Sequence, residues 1–360
     1  MTHRTPIAGT LFALAGIAAM SGCATPGAPS SRPTPGHAIA ALRATATHFV
    51  YSPYKHVAIA LDPAARTLGT EVGGPNSPIV ANGRSTLPHG LAALTLAFAT
   101  GECGAETWEG VDPDVFAHAN LQELDRAGID YVVSTGGEAG TFTCQTDAGM
   151  EAFIARYASA RLIGFDFDIE RGQSDAIVES LVHRIKLAKD RHPGLRMSFT
   201  LATWAASDGS LASLNPDGER VLRALRNASM TDYYINLMVM DYGEATPRNC
   251  VVSGDVCQMG RSAIQAAHNL SRRHGVPLDR IELTPMIGIN DVTTNVFSRD
   301  DAHAMARFVR DGGLAGLHYW SLDRDKPCAG GAAIVSSACS GLAGQAEFAF
   351  ARAFRDGLGQ

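Results

Sequence analysis

From about residue 48 onward, short apolar runs alternate with segments whose apolar positions recur at helical spacing. The runs predict eight strands: His56–Leu61, Ala92–Thr100, Asp130–Ser134, Leu162–Glu170, Arg196–Ala202, Tyr233–Tyr242, Ile281–Ile287 and Gly316–Leu322. The segments between them predict helices over Asp114–Ala127, Gly149–Ala160, Ser174–Arg191, Pro216–Asn227, Gly260–His274 and Arg299–Arg310, with a last one at Gln345–Arg355. Asp112-Pro113 and Asn215-Pro216 mark helix starts, because a first-turn proline gives up only an N–H that has no partner there. Alternation of this kind, with an irregular first connection, predicts an α/β fold: a single parallel (β/α)8 TIM barrel. An open doubly wound sheet competes, but it ordinarily carries a glycine-rich phosphate turn after its first strand. Here that strand leads into Asp62-Pro63-Ala64-Ala65, and no GxGxxG or P-loop occurs. Residues 39–360 read as one barrel, without repeats or a second domain.

The fourth strand carries the candidate chemistry. Side chains alternate along Leu162-Ile163-Gly164-Phe165-Asp166-Phe167-Asp168-Ile169-Glu170, so Asp166, Asp168 and Glu170 share one face. Phe165, Phe167 and Ile169 share the other, which suits the helix layer and leaves the carboxylates pointing into the lumen. Neighbours two residues apart lie roughly 6–7 Å from each other. Burial and like charge then raise at least one pKa, as a general acid working near neutral pH requires. A wet edge strand is the bland alternative; the apolar flanks argue for burial on both sides.

Composition narrows the partners. The chain has 360 residues, 46% hydrophobic and 18% charged, which is globular, and its net charge of -6 offers no basic field for nucleic acid. His3 and Arg4 precede an apolar stretch, Ile7 to Met20, too short for a comfortable membrane span. It ends in Met20-Ser21-Gly22-Cys23, which is similar to a bacterial lipobox. Residues 1–22 therefore read as a lipoprotein signal peptide, Cys23 as the acylated residue, and 23–38 as a flexible tether rich in Pro, Ser, Gly and Ala. An ordinary signal peptide cleaved near Ala24 is the alternative. The expected location is outside the cytoplasm: lipid-anchored to a bacterial membrane, the outer one if Ala24 acts as the sorting residue, or secreted.

Six cysteines remain after Cys23: Cys103, Cys144, Cys250, Cys257, Cys328 and Cys339. An even number in an exported chain predicts three disulfides. Proximity pairs Cys250 with Cys257 and Cys328 with Cys339, leaving Cys103 with Cys144, among fifteen connectivities. With no CxxC and no HExxH, no metal site is expected, and the twelve histidines show no ligand spacing.

Phe165-Asp166-Phe167-Asp168-Ile169-Glu170 resembles the end of the DxxDxDxE signature of glycoside hydrolase family 18, the chitinases and their relatives. Ser134-Thr135-Gly136-Gly137 resembles that family's SxGG at the third strand. Asn236-Leu237-Met238-Val239-Met240-Asp241-Tyr242-Gly243 resembles its sixth-strand motif in the bacterial and archaeal MxMDY form, and Tyr319-Trp320-Ser321-Leu322-Asp323 its eighth-strand tryptophan segment. Two positions depart: Ile163 replaces the first Asp of the signature, and Met240 stands where MxYD carries tyrosine.

The resemblance implies substrate-assisted retaining hydrolysis of chitin or another N-acetylglucosamine polysaccharide, without a cofactor. Glu170 is the implied acid, Asp168 the partner of the substrate's acetamido group, and Asp166 the residue that tunes Asp168 by sharing a proton. Met238, Asp241, Tyr242 and Trp320 are the implied substrate-binding residues; Trp108 and Tyr51 are weaker candidates for outer subsites. Gly136 and Gly137 either permit a tight turn or let the backbone approach the ligand. Only Gly288 to Ala315 separates the last two strands, too little for the wall domain many family members insert there, so an open groove and internal cleavage are expected. A monomer is expected, with membrane contact through the lipid anchor only. Endo-β-N-acetylglucosaminidase action on glycans and a non-catalytic chitin-binding lectin are the alternatives; such lectins typically lose the acid, which Glu170 supplies here. Cys23→Ala should shift the protein from the membrane to the soluble fraction and remove the acyl mass from the purified chain; continued membrane association would exclude the lipobox.

Overall fold

The computed structural model describes residues 49–360. The expected leader, the tether and Cys23 lie outside the described residues, as do residues 39–48 of the span read as barrel.

Eight parallel strands form the ring. Strand β1 is broken at Ser52-Pro53 into Val50–Tyr51 and Tyr54–His56; β2 is Ala93–Glu102, β3 Asp130–Gly136, β4 Leu162–Asp168, β5 Arg196–Ala202, β6 Tyr234–Met238, β7 Ile281–Thr284 and β8 Gly316–Leu317. The helices are α1 Pro113–Ala127, α2 Asp147–Tyr157, α3 Asp175–Arg191, α4 Pro216–Asn227, α5 Met259–His274, α6 Arg299–Asp311 and α7 Ala349–Leu358. The two halves of β1 close the ring by pairing with different neighbours, Val50 with Gly316 of β8 and Tyr54 with Thr95 of β2. The expected (β/α)8 architecture is therefore present. Both proline-led helices start as expected: the side chain of Asp112 caps α1 and that of Asn215 caps α4. Among the described residues no helix is long and apolar enough to cross a membrane.

The first strand departs most from expectation. The apolar run His56–Leu61 reads as a strand, yet residues 57–60 form a turn and β1 begins at Val50. Pro53 and Lys55 disguise the real strand. Pro53 sits at the break, where it only accepts a bond, from the Thr95 N–H. Lys55 is fully buried, and its ammonium meets Asp323 at 2.7 Å. Strands β6 and β8 are shorter than expected because the chain leaves the ladder to build the mouth; α7 starts at Ala349 rather than Gln345.

Outside the ring, Phe165 packs on Phe153 (4.9 Å between centroids) and Phe167 on Phe199 (5.5 Å), as the alternation of β4 requires. Inside, the lower lumen holds a buried ion pair: Arg196 of β5 donates from Nε to Glu282 of β7 at 2.7 Å, and Ser198 donates to the second carboxylate oxygen. The guanidinium also lies 3.5 Å over the Tyr234 ring. Burial is the largest influence and would raise the Glu282 pKa, but Arg196, His318 and Ser198 together outweigh it and hold it at about 2.

Three disulfides join Cys103 to Cys144, Cys250 to Cys257 and Cys328 to Cys339, the pairing that proximity favoured. Every one lies in connections leaving the C-terminal ends of strands.

Glu282→Gln strands a buried guanidinium, so urea unfolding should show about 3–5 kcal/mol lost at neutral pH. Because the Glu282 pKa is depressed, its contribution is present above the ordinary carboxyl range and fades as pH falls toward 2, so the gap between variant and wild type should shrink there.

Candidate active site

Above the ion pair, the lumen-facing side chains change from charge-matched to hydroxyl-matched. Asp166 accepts from Tyr54 Oη (2.8 Å), Ser134 Oγ (2.6 Å) and Thr200 Oγ1 (2.7 Å). Asn236 donates to Tyr54 and Thr200 and accepts from Thr284, which fixes the direction of each of these bonds. Burial pushes the Asp166 pKa up to about 6 against the pull of its three donors. No proton-sharing contact joins Asp166 to Asp168: both Asp166 oxygens are occupied by hydroxyls, so the two groups interact through their fields.

One pleat higher, Asp168 is buried, and its Oδ1 has no hydrogen-bond partner. Burial, then Glu170 and Asp166, raise its pKa well above the ordinary range. Glu170 follows the end of β4 at the mouth and is half-buried; burial and the nearby Glu138 raise it to about 7. The three carboxyl groups thus climb from a saturated site to an unpartnered one to a partly open one.

A cleft of about 730 Å³ opens over this ladder, lined by Asp168, Glu170, Met238, Asp241 and Trp320 among others. The Trp320 indole backs onto Phe98 (5.7 Å, rings 18° apart), His56 (5.6 Å) and Tyr54 (6.1 Å), so its orientation is fixed by three rings. Gly136 and Gly137 serve the protein rather than a ligand. Both have positive φ; a Cβ on Gly136 would stand 2.1 Å from the Asp168 carbonyl oxygen, and one on Gly137 2.8 Å from the Phe98 ring.

Some expected residues lie elsewhere. Asp241 has a φ of 48°, a left-handed kink that turns both Met240 and Asp241 into the cleft and sends Tyr242 into the core. Tyr242 is buried, its hydroxyl unpartnered and absent from the cleft lining, so it does not bind substrate there. Trp108 is fully buried, stacked 4.2 Å from Phe116, with its N–H donated to Tyr157 Oη. Tyr51 lies under α7, its hydroxyl donated to the Ala351 carbonyl. Neither can form an outer subsite. Among the described residues the one grouping with metal-ligand geometry, Glu102 with Cys103 and Cys144, has both sulfurs tied in a disulfide and offers no thiolate.

Sequence reading missed Tyr54, hidden in the proline-broken strand, and Trp204, which lines the cleft two residues past the end of β5. The signal for Trp204 was its place: a large aromatic directly after a barrel strand faces the end where ligands bind.

The carboxyl ladder also sets a pH dependence of stability. A carboxyl whose folded pKa is raised favours the fold at low pH, and that contribution is lost as pH rises through the folded value. Asp168→Asn removes the group that must ionise without a partner. Its melting temperature should equal wild type near pH 4 and exceed it increasingly toward pH 8, by roughly 2–4 °C per kcal/mol recovered. A constant or shrinking difference would show that Asp168 is not held protonated.

No family model matches the chain. Among curated proteins it is similar to endochitinase 11 of Metarhizium anisopliae, 26% identical over 261 residues that make up 67% of this chain and 49% of that one. It is also similar to a probable bifunctional chitinase/lysozyme of Escherichia coli strain K12, 25% identical over 225 residues, 58% of this chain and 25% of that one. The chain thus spans about half the length of the first relative and a quarter of the second. Among solved structures, the catalytic domain of a hyperthermophilic chitinase from Pyrococcus furiosus matches with a TM-score of 0.64 at 22% identity, over 87% of this chain and 95% of that chain. The ring of strands described above is the fold of that catalytic domain, and the sequence is similar to chitinases.

Proposed function

We propose that this protein is a chitinase-like glycoside hydrolase that cuts β-1,4-linked N-acetylglucosamine polymers internally, by substrate-assisted retaining catalysis. The observation that carries the reading is the carboxyl ladder ending in Glu170, held near pKa 7 above an unpartnered Asp168 oxygen and facing a cleft that contains Trp320. Similarity to the fungal and bacterial chitinases supports the substrate class.

In this mechanism protonated Glu170 gives its proton to the glycosidic oxygen as the bond from that oxygen to the anomeric carbon breaks. The carbonyl oxygen of the substrate's own 2-acetamido group bonds to the anomeric carbon from the other side, forming an oxazolinium ion. Asp168 Oδ1 accepts the acetamido N–H and stabilises the positive charge, which favours the ionised form of Asp168 only as that charge develops. Water then attacks the anomeric carbon, Glu170 takes its proton, and the acetamido group is released. Trp320 supplies the stacking face for the reacting sugar, and Met238 and Asp241 the wall beside it. Between β7 and α6 only a short hairpin intervenes, Gly288–Ile289 with Val296–Phe297, so the cleft lacks a tall wall there; this supports internal cleavage. An exported, lipid-anchored location belongs to the same proposal, and three disulfides suit an oxidising compartment.

Glu170→Gln should lower turnover of chitin oligomers by at least about a hundredfold while sugar binding survives, because an amide cannot donate the proton. Wild type should cut chitin oligomers, leave fully deacetylated and cellulose oligomers intact, and release a product that proton NMR first detects as the β-anomer. An α-anomer, or efficient cleavage of a sugar lacking the acetamido group, would exclude the substrate-assisted route.

A further inference from the structure

Outside the carboxyl ladder, one large aromatic at the mouth is left without a packing role. Trp204 is 39% exposed, although burying an indole is strongly favourable and the other two tryptophans are packed by neighbouring rings. It lines the same cleft as Glu170 and Trp320. In the ring order β8 and β4 stand opposite each other and β5 is β4's neighbour, so Trp204 stands beside Glu170, across the mouth from Trp320.

Its backbone is held on both sides. The Trp204 N–H donates to the Ser213 carbonyl, Thr203 bridges to Leu214, and the Ala205 N–H donates to the Asn249 carbonyl, next to the Cys250–Cys257 disulfide. An exposed aromatic on a braced loop keeps its face in place without a ligand, so little ordering entropy is lost on binding. Asn215, also in the cleft lining, commits its side-chain oxygen to the Gly218 N–H at the start of α4, which leaves its NH2 group as a donor not used by that cap. A flat apolar face with a hydrogen-bond donor near its edge matches a pyranose ring, whose axial C–H face is apolar and whose rim carries oxygens.

We propose that Trp204 is the platform of a second sugar-binding subsite, stacking a pyranose unit of the polymer that flanks the one being cleaved, with Asn215 donating to an oxygen at its rim. The inference rests on the hydrolase reading for its substrate class and adds a residue that decides preference for chain length.

The test compares Trp204→Ala and Trp204→Phe with wild type in the full chain, on chitohexaose and on an aryl glycoside of diacetylchitobiose. Trp204→Ala should lose about tenfold more kcat/KM on the hexamer than on the short substrate, mainly through KM, and Trp204→Phe should recover most of it. Calorimetric binding of chitohexaose to Glu170→Gln, with and without Trp204→Ala, should weaken by about the same factor. Equal losses on the two substrates, or unchanged hexamer binding, would overturn the subsite. If wild type binds the hexamer through Trp204 but never cuts it, the hydrolase reading fails while the subsite stands.

Discussion

Burying an ionised carboxyl without a counter-charge is expensive enough that proteins neutralise the group, pair it or surround it with donors. The lumen of this barrel holds four carboxyl groups one above another and uses all three answers in order. Glu282 keeps its charge because Arg196 is beside it. Asp166 is met by hydroxyls from its two neighbouring strands, β3 and β5, and from β1 across the lumen. Asp168 has an oxygen that nothing serves, and Glu170 above it is raised to about 7. The unmet requirement is greatest at Asp168, just below the half-buried Glu170, where a ligand in the cleft can supply what the protein does not. The charge-matched carboxyl thus lies low in the ring and the unmatched ones toward the mouth.

The alternation of β4 imposes this order. Each lumen-facing carboxyl is preceded by a residue that packs outward, so Phe165, Phe167 and Ile169 anchor the strand in the helix layer while their neighbours are forced inward. The register with β3 then places Asp168 opposite Gly136, whose missing side chain lets the two backbones approach. The glycines of the third strand and the carboxylates of the fourth are therefore one structural device read from two places in the chain.

What could be read from the sequence followed from period and order. The two-residue alternation of β4, the proline-led helix starts and the local cysteine pairs needed only nearby residues, and all appear in the structure. The misreadings share another cause. Tyr54 and Lys55 are buried because partners more than a hundred residues away accept them, Asp166 and Asp323, and no window along the chain contains both members. Trp108 and Tyr51 are aromatic, which sequence cannot separate into core and surface; their partners Tyr157 and Phe354 make them core. Tyr242, which the family resemblance implied as substrate-binding, lies in the core beyond a left-handed residue, Asp241, and a motif does not reveal such a kink.

The distribution of disulfides has a consequence for how the molecule fails. All three lie among the loops of the mouth, whereas the lower ring is held by strand pairing and a buried ion pair that reductant does not touch. The bonds that a reductant can break therefore brace the walls of the mouth, the Trp204 loop included, and none of the three joins the strands that carry the carboxyl ladder.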